Sequence, residues 1–500
     1  MELPSYTRRF WERVIEWVRP GRTPFRTHDG VFNLMTDSVL IASDFSGDLP
    51  AAVTAWLETT LAGKITRKER FVSRREGWLV DLDCADKRSL HGFLRLERFA
   101  NGEMKQPACQ VRRETAVTAA LHARGIPVPA VYAHSEELQA TLFERVPGRD
   151  NIHELEDAHQ QSEIAKDFMR HLAWLHSLSV RDLDLPELPL PVSAEEYALA
   201  GIDELEQTYA SSVAVPDPLA LLTFHWLRRN IPAPPTRPVL VQGDTGPGNF
   251  VYVGDQVSAI LDWECAHFGD PMEDLGHLYS RAFFHPWGEM TGLIEAYTAC
   301  ASQSLDKEKL HFYRVASFAK AALGSTVAVN HFGVEGPLPM MIFFSIAGER
   351  GLAQSLADAL HVEVGRAALP EPEQGVPRSL RLPTEEISDH IVDNELLPEL
   401  RTSYLRDRAT QLRELARYQA RREQHLSAVV AQELEELRVF SKGPVSTIQD
   451  GLEQLNARIE AWDEASIGDI ARYLSRRAQR AEALALPLAG RYSNLVLSPI

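Results

Sequence analysis

The sequence predicts an α+β protein in which a small antiparallel sheet precedes a mostly helical body. Three observations carry that prediction. Strand-like runs cluster between Ile65 and Phe143, whereas helical periodicity dominates from residue 155 onward. Two further apolar runs, 239–242 and 257–263, flank a Gly/Pro-containing loop, 245–249. Beyond a proline-punctuated stretch at 363–385 the chain becomes highly charged helix with few aromatics.

Taken in order, Phe10, Trp11, Val14, Ile15, Trp17 and Val18 are spaced for a helix within an N-terminal extension, 1–49. A second helix fits 50–62. The runs at 65–73, 77–84 and 90–99 read as strands, with the polar stretch 73–77 as the turn between the first two. The third strand carries Arg95 and, two residues on and therefore on the same face, Glu97. A helix follows over 110–125, with Glu114 near its start and Gly125 as its stop. Two more strands lead to Val146-Pro147-Gly148, which suits a hinge into a second domain. Helices are expected at 155–178, 194–211 and 217–230, then four prolines between 232 and 238 give an extended approach to Val239. After Leu275 helices are expected at 275–284, 288–302, 306–326 and 339–360. The implied domains are 1–49, 50–148, 149–362, a linker at 363–385, and a helical domain at 386–500. In the last, Arg472, Arg476, Arg477 and Arg480 make a basic face, either solvated or met by an acidic partner or phosphorylated ligand.

Composition narrows the classes. With 44% hydrophobic and 24% charged residues the chain is globular rather than disordered. A net charge of −18 argues against broad nucleic-acid binding. Cys84, Cys109, Cys265 and Cys300 are widely spaced, which suggests neither a zinc site nor a disulfide framework. The charged N-terminus does not read as a signal peptide, and no run reaches the roughly 18 apolar residues of a membrane span. A cytoplasmic location is the expectation, with no membrane and no nucleic-acid partner.

The chemistry concentrates in 239–275. Asp244 and Asn249 flank the short loop, and Asp262 closes the second apolar run. One carboxylate can face a substrate hydroxyl, while an amide oxygen and another carboxylate hold a hard cation. A cation at Arg95 facing a carboxylate at Glu114 on the following helix suits the holding of a phosphate; the alternative is a surface glutamate with Arg112 and Arg113 nearby. The turn at 73–77 is either an ordinary hairpin turn or a phosphate cover using backbone N–H groups and Arg74 or Arg75.

QGDTGPGNF, followed by AILDWECAHFGDPMEDL, resembles the signature of the aminoglycoside phosphotransferase/choline kinase-like superfamily. Within it, the branch related to the kinase domain fused to some acyl-CoA dehydrogenases is the nearest in pattern. The resemblance covers roughly 50–360 and includes LFERVPG and a helix ending in LAWLHSL. It implies a bilobal protein-kinase-like fold and transfer of the γ-phosphate of ATP (or GTP) to a hydroxyl, with Mg²⁺. It further implies Asp244 as the catalytic aspartate, Asn249 and Asp262 as Mg²⁺ ligands, and Arg95 as the phosphate-contacting base with Glu114 as its partner. The hinge residues Phe143, Glu144 and Val146 would bind the nucleobase through backbone groups, with Ser73 and Arg74 near the phosphates.

There are departures from the family pattern. Gln242 stands where the family has histidine, and the first hairpin lacks a glycine-rich loop. Glu264 reads equally as a substrate or metal contact and as a structural residue. Asp270 and Asp274 read as a helix cap and a loop brace; His176 as a hydrogen-bonding core residue; His267 stays open. The implied acceptors are hydroxylated metabolites such as hydroxyacyl-CoA thioesters. An antibiotic phosphotransferase (aminoglycoside or macrolide) is the alternative enzyme. A nucleotide-binding pseudokinase or regulatory module is the alternative of another class. The C-terminal helices are where a homo-oligomer or protein partner would be sought.

Overall fold

The structure, a computed structural model, describes residues 48–71, 76–96, 110–332, 339–372, 383–401, 403–441 and 443–500. The expected helix at 6–18 therefore lies outside the described residues, as do Cys109, Glu97, Ser73, Arg74 and Arg75. In chain order the first elements are α1 (Ala51–Thr60), β1 (Gly63–Phe71), β2 (Glu76–Cys84), β3 (Ser89–Leu96), α2 (Gln110–His122), β4 (Val131–Ser135) and β5 (Ala140–Glu144). Next come α3 (Ala158–Ser177), α4 (Ala194–Ala198), α5 (Ile202–Ser212), α6 (Pro218–Arg229), β6 (Val239–Val241), β7 (Phe250–Val253), β8 (Gln256–Ile260) and β9 (His267–Gly269). The remainder is helical: α7 (Pro271–Phe284), α8 (Met290–Thr298), α9 (Lys307–Phe332), α10 (Pro339–Ala359), α11 (Thr384–His390), α12 (Ser403–Val439), α13 (Ile448–Ala461) and α14 (Glu464–Ala485). This is the expected α+β class.

Two compact units result. One takes the described residues within Asn33–Ala200, Ile231–Ser317 and Leu495–Ile500; the other takes Gly201–Asn230 and the described residues within Phe318–Asn494. The first unit contains the five-stranded antiparallel sheet, ordered β1-β2-β3-β5-β4. Alternation along β2 buries Trp78, Val80 and Leu82 on one face, where Val53 and Leu57 of α1 cover them. Each such apolar side chain contributes about 1.5–3 kcal/mol when fully buried. Leu94 and Leu96 of β3 join this core, so the intervening Arg95 projects from the opposite face. There α2 docks, with Thr115 and Thr141 sharing a buried hydroxyl contact of 2.7 Å.

The two apolar runs after Val239 do not pair with one another. β6 pairs with β9, not with β8. β8 pairs instead with β7, an unforeseen strand, across a tight turn at Gly254. Asp262 lies just past the end of β8 rather than within a strand. The predicted helix 194–211 is divided into α4 and α5 by Gly201, whose φ of +73° is left-handed.

α7 starts earlier than its apolar pattern suggests. Asp270 caps it by accepting the Met272 amide N–H at 2.9 Å, and Pro271 takes the first turn. The carboxylate also accepts from Lys309 at 2.7 Å. Gly276 lets α7 approach α9 closely: a Cβ there would lie 2.7 Å from the Arg314 nitrogen and the Tyr313 carbonyl carbon. Gly276→Ala is expected to cost about 1–3 kcal/mol, because backbone on both sides cannot yield as a side-chain tip can. A thermal melt unchanged from the wild type would contradict this.

In the second unit the basic face of α14 is only partly solvated: Arg480 is buried, while Arg472, Arg476 and Arg477 are half-buried. Arg480 is 1% exposed and pairs with Glu433 at 3.0 Å and Glu436 at 2.8 Å, both on α12. Arg477 pairs with Asp217, the N-cap of α6, at 2.8 Å, and Arg476 lies 3.6 Å from Glu436. The acidic partner of these arginines is the protein's own chain. In the buried Arg480 group, removing the arginine is penalised strongly, since buried carboxylates are left uncompensated. Among the described residues no helix is long and apolar enough to cross a membrane.

Candidate active site

The site lies within the first unit and is built on the β6–β7 loop, the end of β8 and the buried face of α7. Gly243 has φ +83°, and a Cβ there would meet the Cys265 carbonyl oxygen at 2.7 Å. No other residue takes this turn without strain. The turn is held from below by Asp274, which is fully buried. Its Oδ2 accepts from the Gln242 amide N–H at 2.8 Å, and its Oδ1 accepts from the Gly243 amide N–H at 3.0 Å and from the Thr245 hydroxyl. His176 meets the same carboxylate at 3.1 Å through Nε2 and the Tyr297 hydroxyl at 2.8 Å through Nδ1. Burial opposes the Asp274 charge, but His176, Thr245 and the Gln242 amide outweigh it and hold its pKa below the usual carboxylate value.

Gln242 supplies a brace of its own. Its Nε2 donates to the Leu261 carbonyl at 2.8 Å, joining the loop to the segment that carries Asp262. The Leu261 amide N–H donates to the Asn249 carbonyl at 2.8 Å, a second tie between the same segments. An amide side chain thus does this linking.

Asp244 is 3% exposed. Its Oδ1 lies 3.1 Å from His277 Nε2, and its Oδ2 accepts from Asn249 Nδ2 at 2.7 Å and sits 3.6 Å from Arg281 Nη2. Burial pushes the Asp244 pKa up. Arg281, His277 and Asn249 together more than reverse that, lowering it to about 2. The group is a permanent anion at neutral pH. Asn249 also donates from Nδ2 to the Asp244 carbonyl at 2.7 Å, so its amide oxygen faces away from Asp244.

Arg95 crosses to this site from the sheet. Nη1 donates to Glu114 at 2.8 Å and lies 3.7 Å from Asp262; Nη2 donates to Glu264 at 2.7 Å. Both glutamates are buried, at 5% and 3%. The planar fork of a guanidinium can reach two carboxylates at once, which a lysine ammonium does with less geometric control. Asp262 has φ +58°, a strained conformation for a residue with a Cβ and one that concentrates at functional sites. At the hinge, Phe143 is buried in β5, opposite Phe93. The Glu144 and Arg145 amide N–H groups donate to the Ala130 and His91 carbonyls at 2.7 and 2.9 Å. Glu144 also accepts the Ala130 amide through its side chain, and Val146 is half-buried just past the strand. His267 is engaged by the Cys265 carbonyl and Glu273 at 2.9 and 3.0 Å.

The structure therefore gathers Asp244 with Asn249, and Arg95 with Glu114, Asp262 and Glu264. Sequence reasoning did not find His277 and Arg281. Their signal was present: Asp274, His277 and Arg281 follow one another at three- and four-residue spacing, a polar stripe on an otherwise largely apolar helix.

Residues 87–313 match the model of the phosphotransferase enzyme family. Acyl-CoA dehydrogenase family member 11 of Rattus norvegicus is 31% identical over 202 residues, which is 38% of this chain and 25% of the rat protein. The chain thus spans about a quarter of that relative's length. The macrolide 2'-phosphotransferase of Brachybacterium faecium superposes with a TM-score of 0.42 at 16% identity, over 63% of this chain and 100% of that one. An aminoglycoside phosphotransferase solved as a ternary complex with streptomycin and ATP gives 0.42 at 13% identity, over 60% and 96%.

Proposed function

We propose that the chain is a small-molecule kinase transferring the γ-phosphate of ATP (or GTP) to the hydroxyl of a metabolite, with a hydroxyacyl-CoA as the leading acceptor. The observation that carries this reading is Asp244: a buried carboxylate kept ionised by two hydrogen-bonding partners, His277 and Asn249, and the nearby charge of Arg281. Phosphoryl transfer through a loose transition state asks mainly for positioning and charge neutralisation. A carboxylate with a pKa near 2 is a weak base, so Asp244 orients the acceptor hydroxyl rather than storing its proton.

The remaining roles follow from donor chemistry. Asp262 and the outward amide oxygen of Asn249 are hard oxygen donors, a set that fits Mg²⁺ completed by phosphate oxygens and water. Mg²⁺ bound there would neutralise charge on the β- and γ-phosphates. Arg95, kept in place by Glu114 and Glu264, contacts the phosphates; the hinge at Phe143, Glu144 and Val146 receives the nucleobase; Ser73 and Arg74 cover the phosphates. In this assignment 50–148 is the nucleotide lobe, 149–362 the acceptor-binding lobe, and the helices from 386 onward an added domain. The likeness to an acyl-CoA dehydrogenase family protein supports a CoA thioester acceptor over an antibiotic.

An ATP-consumption screen over hydroxyacyl-CoAs, aminoglycosides, macrolides and amino alcohols, repeated with GTP, tests the proposal. Turnover with a hydroxyacyl-CoA that disappears in the Asp244→Asn protein is expected. Turnover only with an antibiotic would replace the acceptor. Nucleotide binding without any turnover would point instead to a regulatory module.

A further inference from the structure

We propose that His277 is a positioning residue for phosphoryl transfer, fixing the Asp244 carboxylate in one orientation through Oδ1 while Asn249 fixes Oδ2. The inference rests on the reading of Asp244 as the catalytic aspartate. Its observation is separate: a buried chain of hydrogen bonds behind the ring that nothing else in the site requires. His277 is 4% exposed on α7. Nε2 faces Asp244 at 3.1 Å, and Nδ1 faces the Ser317 hydroxyl of α9 at 3.2 Å. The Ser317 and Ser280 hydroxyls meet at 2.7 Å, and Ser280 donates to the His277 carbonyl at 2.9 Å.

An ionised carboxylate only accepts, so the hydrogen must sit on Nε2. Serine hydroxyls rotate freely to donate or accept. Ser317 can accept from an Nδ1 hydrogen while donating to Ser280, or donate to an Nδ1 lone pair while accepting from Ser280, whose hydrogen then leaves the His277 carbonyl. The Nε2–H donor to Asp244 is kept in either case. Two donors from two directions, Nε2–H on Oδ1 and the Asn249 amide on Oδ2, prevent rotation of the carboxylate about its terminal bond. Without His277, Oδ1 is buried with no directed partner from α7, and the carboxylate can turn away from an acceptor.

The test uses MgATP with water as the acceptor, so it does not depend on knowing the natural one. His277→Phe is expected to lower kcat for hydrolysis about 10- to 100-fold, the usual effect of losing a residue that orients a functional group. KM for ATP should stay within about twofold, because His277 touches no nucleotide-binding residue. His277→Gln carries an amide nitrogen where Nε2 stood and is expected to recover most of the rate. His277→Asn is too short to do so. Wild-type hydrolysis in His277→Phe, or equal rates for the Gln and Asn variants, would overturn the proposal. The Gln/Asn comparison decides if the Phe variant fails to fold. Hydrolysis unaffected by Asp244→Asn would indict the kinase reading itself; loss in Asp244→Asn without loss in the His277 variants would sink only the present inference.

Discussion

Asp244→Asn is expected to lower phosphoryl transfer by about 10³-fold while leaving nucleotide affinity within about threefold. The amide matches the carboxylate in volume, so the Gly243 turn and its bonds to Asp274 survive. What changes is charge and direction. Asn249, His277 and Arg281 all present donors to this side chain. An amide offers them one oxygen instead of two and turns an NH₂ group toward one of them. That mismatch costs about 1–3 kcal/mol.

A pH dependence accompanies the loss. The folded-state pKa of Asp244 is lowered from 3.8 to about 2. Its stabilisation is therefore fully present above pH 4 and disappears as pH falls from about 4 to 2. It amounts to roughly 2 kcal/mol, since each pKa unit corresponds to about 1.4 kcal/mol. Thermal melts of wild type and Asp244→Asn should accordingly differ most at neutral pH and converge toward pH 2. A gap that stays constant with pH would show that the carboxylate charge is not what the variant removes.

The second large effect is expected at Arg95. Arg95→Ala leaves Glu114 and Glu264 buried without their shared cation, which costs about 3–5 kcal/mol when one member of a buried ion group is removed. It should also raise KM for ATP, because the proposed phosphate contact is lost. The two effects can be separated. Adding Glu114→Gln and Glu264→Gln to Arg95→Ala removes the uncompensated charges, so the triple variant should regain much of the stability and none of the nucleotide affinity. Recovery of both would refute the phosphate role. Arg95→Lys is expected to be intermediate, since an ammonium does not present the two-pronged fork that spans both glutamates. Retention of full stability and activity by Arg95→Lys would show that the fork geometry is unimportant.

Part of this was readable along the chain. The strand-like runs placed β1 to β5 to within a few residues, and Asp270 read as a helix cap, although the helix itself was expected only from Leu275. The spacing around the β6–β7 loop singled out Asp244, Asn249 and Asp262. Arg95 and Glu114, 19 positions apart, do meet. Other features were hidden. The pairing of β6 with β9 could not be read because three-residue strands carry too little pattern to fix a partner. Glu264 could not be told from a ligand until its carboxylate was found on Arg95, 169 positions away. The arginines of α14 looked like a solvated stripe because amphipathic spacing is the same for a face that meets water and one that meets carboxylates.

By itself, then, the sequence determined the α+β class, the order of sheet and helices, and the residue types at the proposed catalytic loop. Periodicity, caps and short-range spacing are local, and they survive in a one-dimensional reading. Only the tertiary structure decided that Asp274 braces the loop, that Arg95 is shared between two glutamates, and that His277 and Arg281 converge on Asp244. Those contacts join side chains from distant elements in a medium of low dielectric. There the ionisation and orientation of a carboxylate depend on which partners the fold brings within a few ångströms.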